Sequence, residues 1–112
     1  MIFVVGTHAL VWHFDDSPLL GREAGRVLED ETLSLVVSVI SLAELKYLAS
    51  RRRLAMTFAE ILELIQNDKR LVVYPVSQDV IGAMPTDLNI HDALICGTAL
   101  VHKDLGEQVA LL

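Results

Sequence analysis

The sequence has one cysteine, Cys96, in 112 residues. That excludes an internal disulfide. It also excludes a thiolate zinc site, which needs several cysteines. Within the apolar run "HDALICGTAL", Cys96 reads as an inert buried thiol. The four histidines, His8, His13, His91 and His102, show no HExxH-type spacing, so no histidine metal site is expected. No apolar run reaches the roughly 18 residues that a membrane-spanning helix needs. The N-terminus lacks the basic start and small-residue cleavage site of a signal peptide, so a cytoplasmic protein without a membrane is expected. Basic residues are few: Lys and Arg total 9 against 15 Asp and Glu, for a net charge of −6. This argues against nucleic-acid binding by bulk electrostatics. It leaves open an enzyme whose acids hold a divalent cation, because the metal reverses the local sign. Glycine-rich nucleotide loops, internal repeats, low-complexity tracts and linkers are all absent.

What is present is apolar. Hydrophobic residues make up 53% of the chain, and the mean hydropathy is +0.47. Strand-like and helix-like segments alternate. Ile2–Val5, Leu33–Val39, Leu71–Tyr74 and Gln108–Leu112 read as strands. Thr7–Phe14, Arg22–Asp30, Leu42–Ser50, Phe58–Asn67, Ser77–Met84 and Ile90–Lys103 read as helices. "DDSPLLG", from Asp15 to Gly21, is turn chemistry with Pro18 at a helix start. Thr57 and Glu60 form a capping box. The alternation predicts a parallel sheet covered by helices on both faces. In such folds, sites gather outside the carboxyl ends of the strands.

Two acids fall there. Glu44 lies in "SVISLAEL" and Asp92 in "LNIHDALI". Each has a structural reading. Ser41 and Glu44 make S-x-x-E, a capping box, and Asn89 with Asp92 has the same offset. Both acids are expected in the first turn of a helix, converging on one cleft. Two such carboxylates repel each other, and a divalent cation relieves the repulsion. Oxygen-only ligands suit Mg²⁺ or Mn²⁺. Such an ion supports phosphodiester hydrolysis by activating water and stabilising developing oxyanion charge.

"FVVGTHALVW", "SVISLAEL" and "HDALICGTAL", in this order, resemble the signature blocks of a PIN domain, in particular the VapC-type toxin ribonucleases of toxin–antitoxin pairs. The resemblance spans the chain. It implies a three-layer α/β/α sandwich on a central parallel sheet, and leaves open whether the last strand of that fold is missing. It implies a single PIN-like domain over residues 1–112, truncated at its C-terminus, and a Mg²⁺- or Mn²⁺-dependent endoribonuclease. Its partners would be an RNA substrate, a cognate antitoxin protein and a second copy in a homodimer. Glu44 and Asp92 match two of the family's acids as metal ligands and catalytic residues. Thr7 matches a hydroxyl residue that orients a water or a phosphate oxygen. Gly6 stands where the family has its first metal-binding Asp, and the position of a further acid falls beyond Leu112. Impaired catalysis is therefore expected for this chain.

The remaining features carry two readings each. Gly6 is also a plain turn glycine, tolerant of positive φ and close backbone approach. Arg51, Arg52 and Arg53 are a solvated helix end or an RNA contact. Asp87 is a surface acid or an outer partner of Asp92, and Trp12 is a packing residue or a base-stacking one. The competing function is a non-catalytic PIN-fold module that binds an antitoxin-like protein or RNA.

Overall fold

The computed structural model describes residues 1–112. The chain runs β1 (Ile2–Val4), α1 (Thr7–Phe14), a 3-10 turn (Pro18–Leu20), α2 (Arg22–Glu29), β2 (Ser34–Ser38) and α3 (Val39–Ser50). It continues through α4 (Phe58–Asn67), β3 (Leu71–Tyr74), α5 (Gln78–Ala83), α6 (Ile90–Asp104) and β4 (Val109–Leu111). The four strands form one sheet in the order β3-β2-β1-β4. All pairings are parallel, with Phe3 opposite both Leu35 and Ala110, and Leu35 opposite Leu71. The fourth strand is present, at the edge beside β1.

Alternation along the strands makes the three layers. Successive side chains point to opposite faces. Leu35 and Val37 join Val5, Leu10, Leu45 and Ile61 in the larger core, under α1 to α4. Val4 and Val36 face the other way and pack on Ile95 of α6. Val80 of α5 and Leu94 and Val101 of α6 extend that second layer. The expected α/β/α sandwich on a parallel sheet is the observed fold. No helix is long and apolar enough to cross a membrane.

One boundary differs from expectation in a way that matters for the site. Val39 and Ile40 look strand-like because they are β-branched. They begin α3 instead, because Ser38 is its N-cap and accepts from the Ile40 N–H at 3.2 Å. The helix therefore starts three residues before the expected Leu42. The capping box at Thr57 and Glu60 is present, with the Glu60 N–H donating to Thr57 Oγ1 at 3.2 Å. Thr57→Ala is expected to lower stability by about 1 kcal/mol, read as a shift in the urea midpoint with an unchanged m-value.

Near the other end of the sheet, Arg70 grips Asp68 through Nε at 3.1 Å and Nη2 at 2.9 Å. The Arg70 hydrogen bond holds the Asp68 carboxyl below the usual aspartate range, against an opposing push from burial. A lowered carboxylate stabilises the fold above its unfolded value, and that gain is lost as pH falls through the folded value. Asp68→Asn is thus expected to lower stability at neutral pH by no more than about 1 kcal/mol after solvent screening, read as a lower melting temperature. The difference from the parent should vanish in strong acid.

Candidate functional site

The strand order locates the site. β1 to β3 run outward in one direction, and β4 lies on the opposite side of β1. The order reverses at β1, and a crevice opens outside its carboxyl end. Gly6 and Thr7 occupy that point. Gly6 is the N-cap of α1 at φ −72° and ψ 160°, with no side chain to cap the helix. This is ordinary extended backbone, so the positive-φ reading of Gly6 is wrong. The close-approach reading is right. A Cβ added there would stand 3.2 Å from the Leu112 carbonyl oxygen, which also accepts from the Gly6 N–H at 3.1 Å.

Thr7 is buried. Its Oγ1 lies 2.7 Å from Glu44 Oε1 and 3.0 Å from Ser41 Oγ. A hydroxyl has one proton to give, and an ionised carboxylate only accepts. The Thr7 proton goes to Glu44, and the Ser41 hydroxyl closes the other pair. Ser41 is fully buried inside α3, because the helix begins at Val39. The expected Ser41–Glu44 capping box is therefore absent, and Glu44 is not in a first turn. The same shift removes the structural reading of Glu44. Its side chain is free of capping and points at Thr7 across the strand ends.

The second oxygen of Glu44 faces His91. Nδ1 of that ring is 3.3 Å from Glu44 Oε2, with side-chain exposures of 49% for His91 and 27% for Glu44. His91 precedes Asp92 in the first turn of α6. From sequence, Ser41 read only as a capping residue and His91 only as a histidine without metal spacing. The contact joins residues far apart in the chain, and the one available signal was the adjacency of His91 to Asp92.

Asp92 is exposed and is used by its own helix. The Asp92 N–H donates to Asn89 Oδ1 at 3.0 Å, and Asn89 Nδ2 donates to Asp92 Oδ2 at 2.6 Å. The predicted N-cap is thus observed. The two acids line neighbouring clefts. Glu44 lines one of about 560 Å³ with Ile40, Tyr47, Arg53 and His91. Asp92 lines one of about 400 Å³ with Gly6, Trp12, Cys96 and Leu112. Thr7 and His8 border both. Cys96 is half-buried at a cleft wall rather than enclosed. Trp12 stacks obliquely on His8, with ring centres 5.9 Å apart. His102 is a satisfied core residue, with Nδ1 2.9 Å from the Thr98 carbonyl.

The three arginines separate. The Arg51 guanidinium sits 5.0 Å over the Tyr47 ring. Arg52 takes a left-handed turn at φ 56° that ends α3. Arg53 lines the cleft that holds Glu44. Asp87 is exposed and borders neither cleft.

No three His, Cys, Asp or Glu side chains are grouped to hold a metal ion. Both oxygens of Glu44 face protein partners, Asp92 is tied to Asn89, and Gly6 offers no donor. The residues present do not fit the divalent cation that the resemblance implies.

A parallel α/β/α sandwich with two neighbouring clefts at its switch point, one holding Glu44 and the other Asp92, defines a class of small α/β domains. The chain matches the model of the PIN domain over residues 3–105. It belongs to the PIN domain family, whose members are typically nucleases. A solved structure similar to it is described as the crystal structure of VapBC2 from Rickettsia felis bound to a DNA fragment from their promoter. The match has a TM-score of 0.66 at 18% identity, covering 99% of this chain and 98% of that one. At that identity the likeness concerns the fold. No characterised protein matches the chain by sequence.

Proposed function

We propose that this chain is a VapC-type toxin ribonuclease in which hydrolysis of RNA phosphodiester bonds is impaired by the glycine at position 6. The observation that carries the reading is the placement of Gly6. It caps α1 at the carboxyl end of β1, next to the Thr7 that holds Glu44. A carboxylate there would join Glu44 and Asp92 around one crevice, and Mg²⁺ or Mn²⁺ would be its ion. Membership of the PIN domain family supports the nuclease class. The likeness to a VapBC2 structure supports an antitoxin protein as partner. Exposed Ile81, Ile90 and Leu105 on α5, α6 and the turn after α6 supply apolar surface for a homodimer. A cytoplasmic location goes with the same reading, and so does an RNA contact by Arg53.

A second reading is favoured by the absence of any three-residue metal group. In it the chain is a non-catalytic PIN module that binds an antitoxin-like protein or RNA. One experiment separates the two. Mn²⁺ binding and RNA cleavage are measured for this chain and for Gly6→Asp. Under the first reading the variant gains both. A variant that neither binds Mn²⁺ nor cuts RNA sinks it.

A further inference from the structure

We infer that His91 takes the place beside Glu44 that a cation would hold, and that it competes with divalent metal for this carboxylate. The inference rests on the proposed ribonuclease reading and deepens it at the same site. Glu44 has two oxygens. One accepts from Thr7 at 2.7 Å. The other has His91 Nδ1 at 3.3 Å. The pair is a close approach rather than an aligned hydrogen bond, so the role of the ring is to fill the space beside Oε2. A cation that took this oxygen would have to displace the ring.

The geometry makes displacement possible but not free. His91 lies in the first turn of α6 with its side chain about half exposed. It can swing into solvent without opening the core. The Arg53 side chain lines the same cleft, which places a cationic group near Glu44 as well. The ring beside Oε2 and the cation in the cleft disfavour a divalent ion and add to the effect of the glycine at position 6. The chain thus departs from a metal site in two separate ways. One is a carboxylate that is absent, and the other is a partner that occupies a carboxylate still present.

The test is a titration of free Mn²⁺, read by electron paramagnetic resonance, against Gly6→Asp, Gly6→Asp/His91→Ala and Gly6→Asp/His91→Gln. Partly exposed polar pairs set the expected size. Removing His91 should tighten Mn²⁺ binding by about two- to five-fold. His91→Gln, which keeps a polar side chain of similar reach in that space, should stay near the value of Gly6→Asp alone. Tighter binding by the His91→Ala double variant than by Gly6→Asp alone would support the inference. Equal affinities for Gly6→Asp and its His91→Ala version would overturn the inference and leave the ribonuclease reading standing. No Mn²⁺ binding by any of the three would overturn both. Circular dichroism of each variant separates lost binding from lost fold.

Discussion

Gly6→Asp is expected to raise Mn²⁺-dependent RNA cleavage over that of this chain, with a gain on the order of 100-fold or more. Partners that only orient metal ligands shift affinity or activity by about 10- to 100-fold. A carboxylate placed directly in the crevice should do at least as much. The backbone accepts the change. At φ −72° any L-residue is comfortable. The new Cβ meets the Leu112 carbonyl oxygen at 3.2 Å, so that carbonyl must give by a few tenths of an ångström. Against this small cost stands a gain. Asp is a good N-cap, and α1 has no side-chain cap at present. Stability should change by less than about 1 kcal/mol, so a difference in cleavage would not reflect unfolding. Glu44→Ala in the Gly6→Asp background should abolish the gain. Unchanged cleavage there would reduce Glu44 to a partner of Thr7 with no part in the reaction.

Gly97→Ala is expected to destabilise the fold by about 1–3 kcal/mol, although Gly to Ala inside a helix ordinarily stabilises by about 1 kcal/mol. The sign reverses because of where α6 lies. A Cβ at Gly97 would stand 2.6 Å from the Val80 carbonyl oxygen and 3.2 Å from the Cα and Cβ of Met84. The first of these is backbone in α5 and the others end that helix, so no flexible side chain can move aside. α5 and α6 would have to separate around the core of Val80, Leu94 and Val101. Gly82 is the control. It is exposed in α5, and nothing lies within 4 Å of its added Cβ. Gly82→Ala should stabilise by about 0.5–1 kcal/mol. For a domain of this size, each kcal/mol moves the melting temperature by roughly 4–8 °C. Opposite shifts for the two variants in one thermal series would establish the close contact, and two upward shifts would refute it.

The fold was largely legible because its periodicities are local. β-branched runs without polar alternation indicated strands covered on both faces. Pro18, the Thr57–Glu60 box and the Asn89 cap marked helix starts that are present. The α3 start was misread because Val39 and Ile40 satisfy a strand and a helix equally well by composition. Ser38 decided between them, and its capping bond forms only once the chain has turned. That single shift carried Ser41 into the core and released Glu44 from the role its spacing suggested.

The candidate site was less legible. Gly6, Thr7, Glu44 and Asp92 could be singled out from motif order, and strand connectivity places them near the carboxyl ends of the strands. The sequence by itself determined the element types, the parallel α/β class, the family and the absence of an acid at position 6. These depend on neighbours along the chain or on residue identity. Only the tertiary structure decided that Thr7 spends its proton on Glu44, that His91 stands at the other oxygen, and that Asp92 is held by Asn89 beside a separate cleft. The first two of these are set by distances of a few ångströms between side chains on different elements. No spacing rule encodes such distances, because they exist only after β1, α3 and α6 have packed together.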